Sequence, residues 1–187
     1  DWELVFLGDS ITHGWERNGQ KIWDEYYGDR KAINLGFGGD RTEHVLWRLD
    51  HGEFDGYKPR VAVIMIGTNN TGHDMHPPKA IAAGIKKIVS TIQNKSPDTK
   101  ILLLGIFPRG ATTDDPKRVN NDNTNSLIST MADGKRIFYL NINNEFLTDD
   151  GVLTKEIMPD LLHPKEKGYA IWAEAIEPTL ARLYDMK

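Results

Sequence analysis

Three short polar blocks in this sequence each follow an apolar run, and a fourth lies near the end of the chain. Gly8-Asp9-Ser10-Ile11-Thr12 comes directly after Glu3–Leu7. A serine there opens the next helix with its hydroxyl exposed and its own N–H in the anion-favouring end of that helix. It reads as a nucleophile or as a plain N-cap. Asn34 to Asp40 follows the second run; Asp40 with Glu43 predicts a capping box, so Gly38-Gly39 lies just before a helix. Glycines there let backbone N–H groups approach a ligand, or simply make a tight turn. Gly67-Thr68-Asn69-Asn70 follows the third run. Its asparagines can aim an amide N–H at developing negative charge, or stabilise a turn. In Asp160-Leu161-Leu162-His163-Pro164, a histidine can take a serine proton while a carboxylate holds its tautomer. On its own such a histidine also has a structural or surface reading. Together the blocks hold a nucleophile, a base, its orienting acid and oxyanion donors.

These blocks need elements to hold them. The apolar runs Glu3–Leu7, Ala32–Leu35, Val61–Ile66, Lys100–Gly105 and Ile137–Leu140 predict five strands, near-continuously apolar as in a parallel sheet buried on both faces. Ile81, Ile85, Ile88, Val89 and Ile92 recur at helical spacing and predict a helix over Pro78–Lys95. Val45, Leu46 and Leu49 mark a shorter helix. Trp172, Ile176, Leu180 and Leu183 mark a C-terminal one, with Pro164 as its first residue and Pro178 expected to kink or split it. Alternating strands and helices predict an α/β fold, a doubly wound (flavodoxin-like) five-stranded parallel sheet with helices on both faces. Arg109–Asn125 is polar and reads as a surface loop or as a helix with a loose lead-in. Trp15, Trp23, Tyr26 and Tyr27 read as core packing or as a homodimer surface; a sugar-stacking role is the less favoured reading.

The motifs Gly8-Asp9-Ser10-Ile11, Gly36-Phe37-Gly38-Gly39-Asp40, Gly67-Thr68-Asn69-Asn70 and Asp160-x-x-His163 resemble, in order, those of the GDSL/SGNH hydrolase superfamily. With His44–Leu49 and Pro108-Arg109-Gly110 they look like its platelet-activating-factor acetylhydrolase-like branch; Ile11 stands where the name motif has Leu. The resemblance implies an SGNH-type fold and a serine esterase. Ser10 is then the nucleophile, His163 the base and later the acid, and Asp160 its orienting partner. The Ser10 and Gly39 N–H groups and the Asn69 amide form the oxyanion hole. No cofactor or metal is implied. The branch favours a short acyl group, acetyl, with Ile11 and Leu162 crowding the acyl side. An O-acetylated carbohydrate is favoured over a lipid, because no exposed amphipathic apolar helix is evident. Alternatives are a lipid acetylhydrolase, a non-catalytic carbohydrate-binding module, and a flavodoxin-like nucleotide or flavin binder that shares only the architecture.

The 187 residues suit a single domain over 1–187, and 39% hydrophobic residues suffice for its core. With 23 Lys+Arg against 27 Asp+Glu, net −4, the chain lacks the basic excess of a nucleic-acid binder or of an anionic-membrane binder. No apolar run reaches the roughly 20 residues of a membrane helix. The absence of cysteine excludes a thiol nucleophile, disulfides and Cys-ligated zinc. His73 and His76 have the spacing of a chelating pair but no further ligands at fitting positions, so no metal is expected. Asn69-Asn70-Thr71 and Asn94-Lys95-Ser96 match the glycosylation pattern, the first by coincidence with the oxyanion block. The chain opens on Asp1 with no leader pattern; a soluble protein exported in bacteria after leader removal is one expectation, and the compartment stays open.

Overall fold

The computed structural model describes residues 1–186. Strands β1 (Leu4–Gly8), β2 (Ala32–Gly36), β3 (Val61–Met65), β4 (Lys100–Leu104) and β5 (Ile137–Leu140) form one sheet in the order β2-β1-β3-β4-β5. Every pairing is parallel, and each predicted strand lies within one residue of its place. Successive strand side chains point to opposite faces. Leu4, Phe6, Val63, Met65, Leu102 and Leu104 therefore enter one core, and Val5, Leu7, Ile64, Ile101 and Leu103 the other. Helices α2 (Gln20–Tyr27) and α7 (Glu166–Asp185) cover the first face. Helices α3 (Thr42–Asp50), α5 (Pro78–Lys95) and α6 (Pro116–Ile128) cover the second. Two short helices, α1 (Ser10–His13) and α4 (Thr68–Asp74), begin where β1 and β3 end. In this strand order the β1/β3 boundary is the switch point, where ligands bind in open α/β sheets.

Several local expectations are corrected. Pro178 neither splits nor ends α7, which runs through it. An interior proline costs about 3 kcal/mol. However, Trp172 and Ile176 before it, and Leu180 and Leu183 after it, are all fully buried. Each contributes about 1.5–3 kcal/mol by burial, so a break would expose more than it relieves. Pro164 is not the first residue of α7; it precedes the N-cap Lys165 and packs beside Gly168. The capping box of α3 is not Asp40 with Glu43. The Arg41 N–H donates to His44 Nδ1 at 2.9 Å, and the Asp40 carboxylate instead pairs with Arg48. The polar stretch Arg109–Asn125 resolves into a lead-in and α6, capped by Asp115, which accepts the Lys117 and Arg118 N–H groups.

Trp15 and Tyr27 are buried core residues, while Trp23 and Tyr26 are half-buried against the same core. Asp74 and His76 are engaged with Arg41 and Asn70 respectively. No group of three or more His, Asp or Glu among the described residues could hold a metal ion. No helix among them is long and apolar enough to cross a membrane.

Candidate active site

The site is built at the C-terminal ends of β1, β2 and β3. Gly8 and Gly36 lie side by side in the sheet register, and Gly8 also lies beside Met65. A Cβ on Gly8 would meet Thr12 Oγ1 at 2.2 Å, so only glycine lets α1 fold back onto the strand end. Asp9, not Ser10, caps α1: its Oδ1 accepts the Ile11 N–H at 2.9 Å. Ser10 is thereby the first helical residue, and no protein acceptor engages its backbone N–H among the described residues.

Residues 153 apart in sequence meet here. Ser10 Oγ lies 2.8 Å from His163 Nε2. His163 Nδ1 lies 2.6 Å from Asp160 Oδ2. With Nδ1–H donating to the carboxylate, Nε2 is the lone-pair nitrogen that can accept the serine proton. Asp160 also shapes its own loop, its Oδ1 accepting the N–H groups of Leu162 at 3.0 Å and His163 at 2.7 Å. Partial burial opposes ionisation of Asp160, but the His163 N–H and ring and the Leu162 N–H outweigh it and hold the carboxyl below the usual range. Between them Leu161 adopts φ 58°, a strained value for a branched side chain, as is common at functional sites. Its carbonyl is tied down by the Gly110 N–H at 3.0 Å.

Gly39 and Asn69 complete the constellation. Gly39 has φ +81°, a left-handed conformation that glycine adopts without penalty, and no protein acceptor engages its N–H among the described residues. Asn69 Nδ2 donates one hydrogen to the Asp40 carbonyl at 2.9 Å, which anchors the amide to the glycine turn and leaves its second hydrogen free. Leu162 is half-buried beside His163. Ile11 is 1% exposed and packs in the core, so the crowding of the acyl side expected of it has no exposed surface to act through. A cavity of about 430 Å³ opens beside Ser10 and His163, walled by His13, Arg17, Asn18 and Tyr169.

Sequence reasoning missed three residues that organise this site. Asp9 is fully buried, and its Oδ2 has no hydrogen-bond partner among the described residues. Burial pushes its pKa up to about 7, against the pull of the Ile11 N–H and His163. Arg48 ties the ends of the strands together, bonding Asp40 at 2.9 Å and reaching the Gly8 and Leu35 carbonyls. Its spacing, three residues after Val45 on the buried face of α3, was a usable signal. Arg118 donates to the carbonyls of Arg109, Gly110 and Gly151 at 3.0, 2.6 and 2.6 Å. Because the Gly110 N–H holds Leu161, Arg118 supports the Asp160–His163 loop from behind.

The sequence matches the model of the GDSL-like lipase/acylhydrolase family over residues 6–171. It is 35% identical over 182 residues to the alpha1 subunit of human platelet-activating factor acetylhydrolase IB, covering 97% of this chain and 76% of that one. The mouse alpha2 subunit is 34% identical over 184 residues, covering 98% and 78%. Among solved structures, an acetylxylan esterase from Geobacillus stearothermophilus superimposes with a TM-score of 0.74 at 18% identity, covering 98% and 94%. That similarity supports the fold. Taken with the sequence match along most of the chain, it leads to one assignment: the protein belongs to the GDSL-like lipase/acylhydrolase family and is an ester hydrolase.

Proposed function

We propose that the protein removes acetyl groups from O-acetylated carbohydrate through an acyl-enzyme on Ser10. The observation that carries the mechanism is the chain of contacts Ser10–His163–Asp160, 2.8 and 2.6 Å long, beside unpaired N–H groups of Ser10 and Gly39. His163 Nε2 takes the Ser10 proton as Oγ attacks the ester carbonyl carbon. The Ser10 and Gly39 N–H groups and the free Asn69 amide hydrogen receive the oxyanion. Nε2–H then protonates the departing alkoxide as its C–O bond breaks. Water, deprotonated by the same nitrogen, attacks the acetyl-serine; the acyl C–Oγ bond breaks, Nε2–H returns its proton to Ser10 Oγ, and acetate is released. Asp160 stays ionised throughout and steadies the imidazolium.

The side chains of His13, Arg17 and Asn18 in the wall of the cavity beside Ser10 support a hydrophilic alcohol rather than a long apolar chain. The solved acetylxylan esterase supports the same direction. A lipid acetylhydrolase is the second reading, favoured by the relatives named platelet-activating factor acetylhydrolase. A series of p-nitrophenyl esters, followed by acetate release from acetylated xylan and acetylated sugars, separates them. Acetate is expected to be the fastest ester, with acetate released from the sugars. Octanoate cleaved faster than acetate would overturn the carbohydrate reading in favour of a lipase-like one.

A further inference from the structure

Among the described residues no acidic side chain lines the cavity beside Ser10, and its outer wall is the turn from His13 to Asn18. That wall has a fixed position. Trp15 is buried against Tyr169, their ring centroids 4.7 Å apart. The Arg17 and Gly19 N–H groups both bond to the Gly14 carbonyl at 3.0 Å. A Cβ on Gly19 would stand 2.8 Å from the Tyr169 ring, so the turn sits directly on the floor of the cavity. Tyr169 in turn donates to the Ile11 carbonyl at 2.7 Å, one residue beyond the nucleophile.

Arg17 is exposed on this wall. Arg30, Arg41, Arg48 and Arg60 each pair with a carboxylate. The Arg17 guanidinium has no acid and no acceptor among the described residues. The nearest acid on the turn, Glu16, faces His13 at 3.9 Å instead. The cavity touches Ser10, Gly38 and His163 but neither Gly39 nor Asn69. With the ester carbonyl oxygen directed at Gly39 and Asn69, the substituent on the His163 side is the one whose oxygen takes the Nε2 proton. The cavity is therefore on the alcohol side of the ester.

We propose that Arg17 selects esters whose alcohol part carries an anionic group, a carboxylate or a phosphate, with Asn18 and His13 bonding its neutral polar groups. The inference rests on the serine-esterase reading above and names the alcohol that this site prefers. A planar guanidinium with unspent donors matches either oxyanion in bidentate fashion.

The test compares wild type and Arg17→Gln on three acetylated sugars: methyl glucoside, methyl glucuronide and glucose 6-phosphate. Hydrolysis of p-nitrophenyl acetate by wild type reports the esterase chemistry itself. At low salt, wild type is expected to favour an anionic sugar over the neutral one by about tenfold in kcat/KM. Added salt should shrink that ratio. Arg17→Gln should bring it close to one, and Arg17→Lys, which keeps the charge, should retain part of it. A preference for the uronide alone or the phosphate alone supports the proposal and identifies the anion. Equal rates on all three sugars in wild type, or a preference that survives in Arg17→Gln, overturn it while p-nitrophenyl acetate hydrolysis leaves the esterase reading standing. Failure of wild type to cleave even p-nitrophenyl acetate overturns both.

Discussion

Two polar clusters occupy the same edge of the sheet and treat their hydrogen bonds in opposite ways. Beyond β4, each side-chain nitrogen of the buried Arg118 is spent on a backbone carbonyl. Beyond β1 and β2, the N–H groups of Ser10 and Gly39 have no protein partner among the described residues. Adjacent asparagines repeat the contrast. Asn70 is consumed, accepting from the Thr42 N–H and donating to Glu43, which pins α3 to α4. Asn69 makes one bond and keeps a hydrogen free. Where polar groups satisfy one another they hold the fold; where donors are left unspent they are free to stabilise a charge that forms beside them.

The sharpest way to break this contrast is Ser10→Ala. On the reading above, kcat/KM should fall by as much as about 10⁶-fold, with the thermal midpoint unchanged. Activity within roughly tenfold of wild type would remove the distinction between the clusters. Asn69→Ala should lower kcat by about 10²–10³-fold with a small change in KM. A higher KM with kcat intact would make Asn69 a ground-state contact. Arg118→Met should do the reverse, leaving three carbonyls without their donor and costing about 3 kcal/mol in urea unfolding. Its kcat, measured where the variant is folded, should stay within about tenfold. A stable but inactive Arg118→Met would place Arg118 on the catalytic side of the divide.

The smallest effect concerns Asp9, which belongs to both clusters in character, with one oxygen spent and the other unpaired. Its folded pKa of about 7 lies above the unfolded value. Between roughly pH 4 and that value, the unfolded chain has released a proton that the native state keeps. The contribution of Asp9 to stability is therefore whole below about pH 4, falls as pH rises, and is gone above the folded pKa. Asp9→Asn should flatten that slope in thermal midpoints recorded across the interval. A slope unaltered by the substitution assigns it to another group.

Much of the architecture was legible along the chain because its signals are local. The unbroken apolar run Val61–Met65, buried on both faces, and the helical recurrence of Ile81, Ile85, Ile88 and Ile92 are patterns local to the chain, so these strands and helices fall where the pattern puts them. That the strands run parallel follows from their alternation with helices, whereas alternation alone does not select the order β2-β1-β3-β4-β5. The four blocks stood out for a different reason: their residue types are those that acyl transfer uses, and the structure brings Ser10, His163 and Asp160 of the first and last into contact. Other features depended on residues distant in sequence. Nothing near Pro178 announces that core contacts on both sides outweigh the missing N–H. The place of Arg48 beside Val45 on α3 hinted at an inward partner, but nothing in the sequence identified that partner as the Asp40 carboxylate. The burial of Asp9, the grip of Arg118 on Gly110 and the approach of His163 Nε2 to Ser10 Oγ arise only when separate segments are packed together. By itself the sequence determined the elements and the chemical types at their ends. The tertiary structure decided which polar atoms were spent on one another and which were left to act, because that depends on distances between segments that local patterning does not encode.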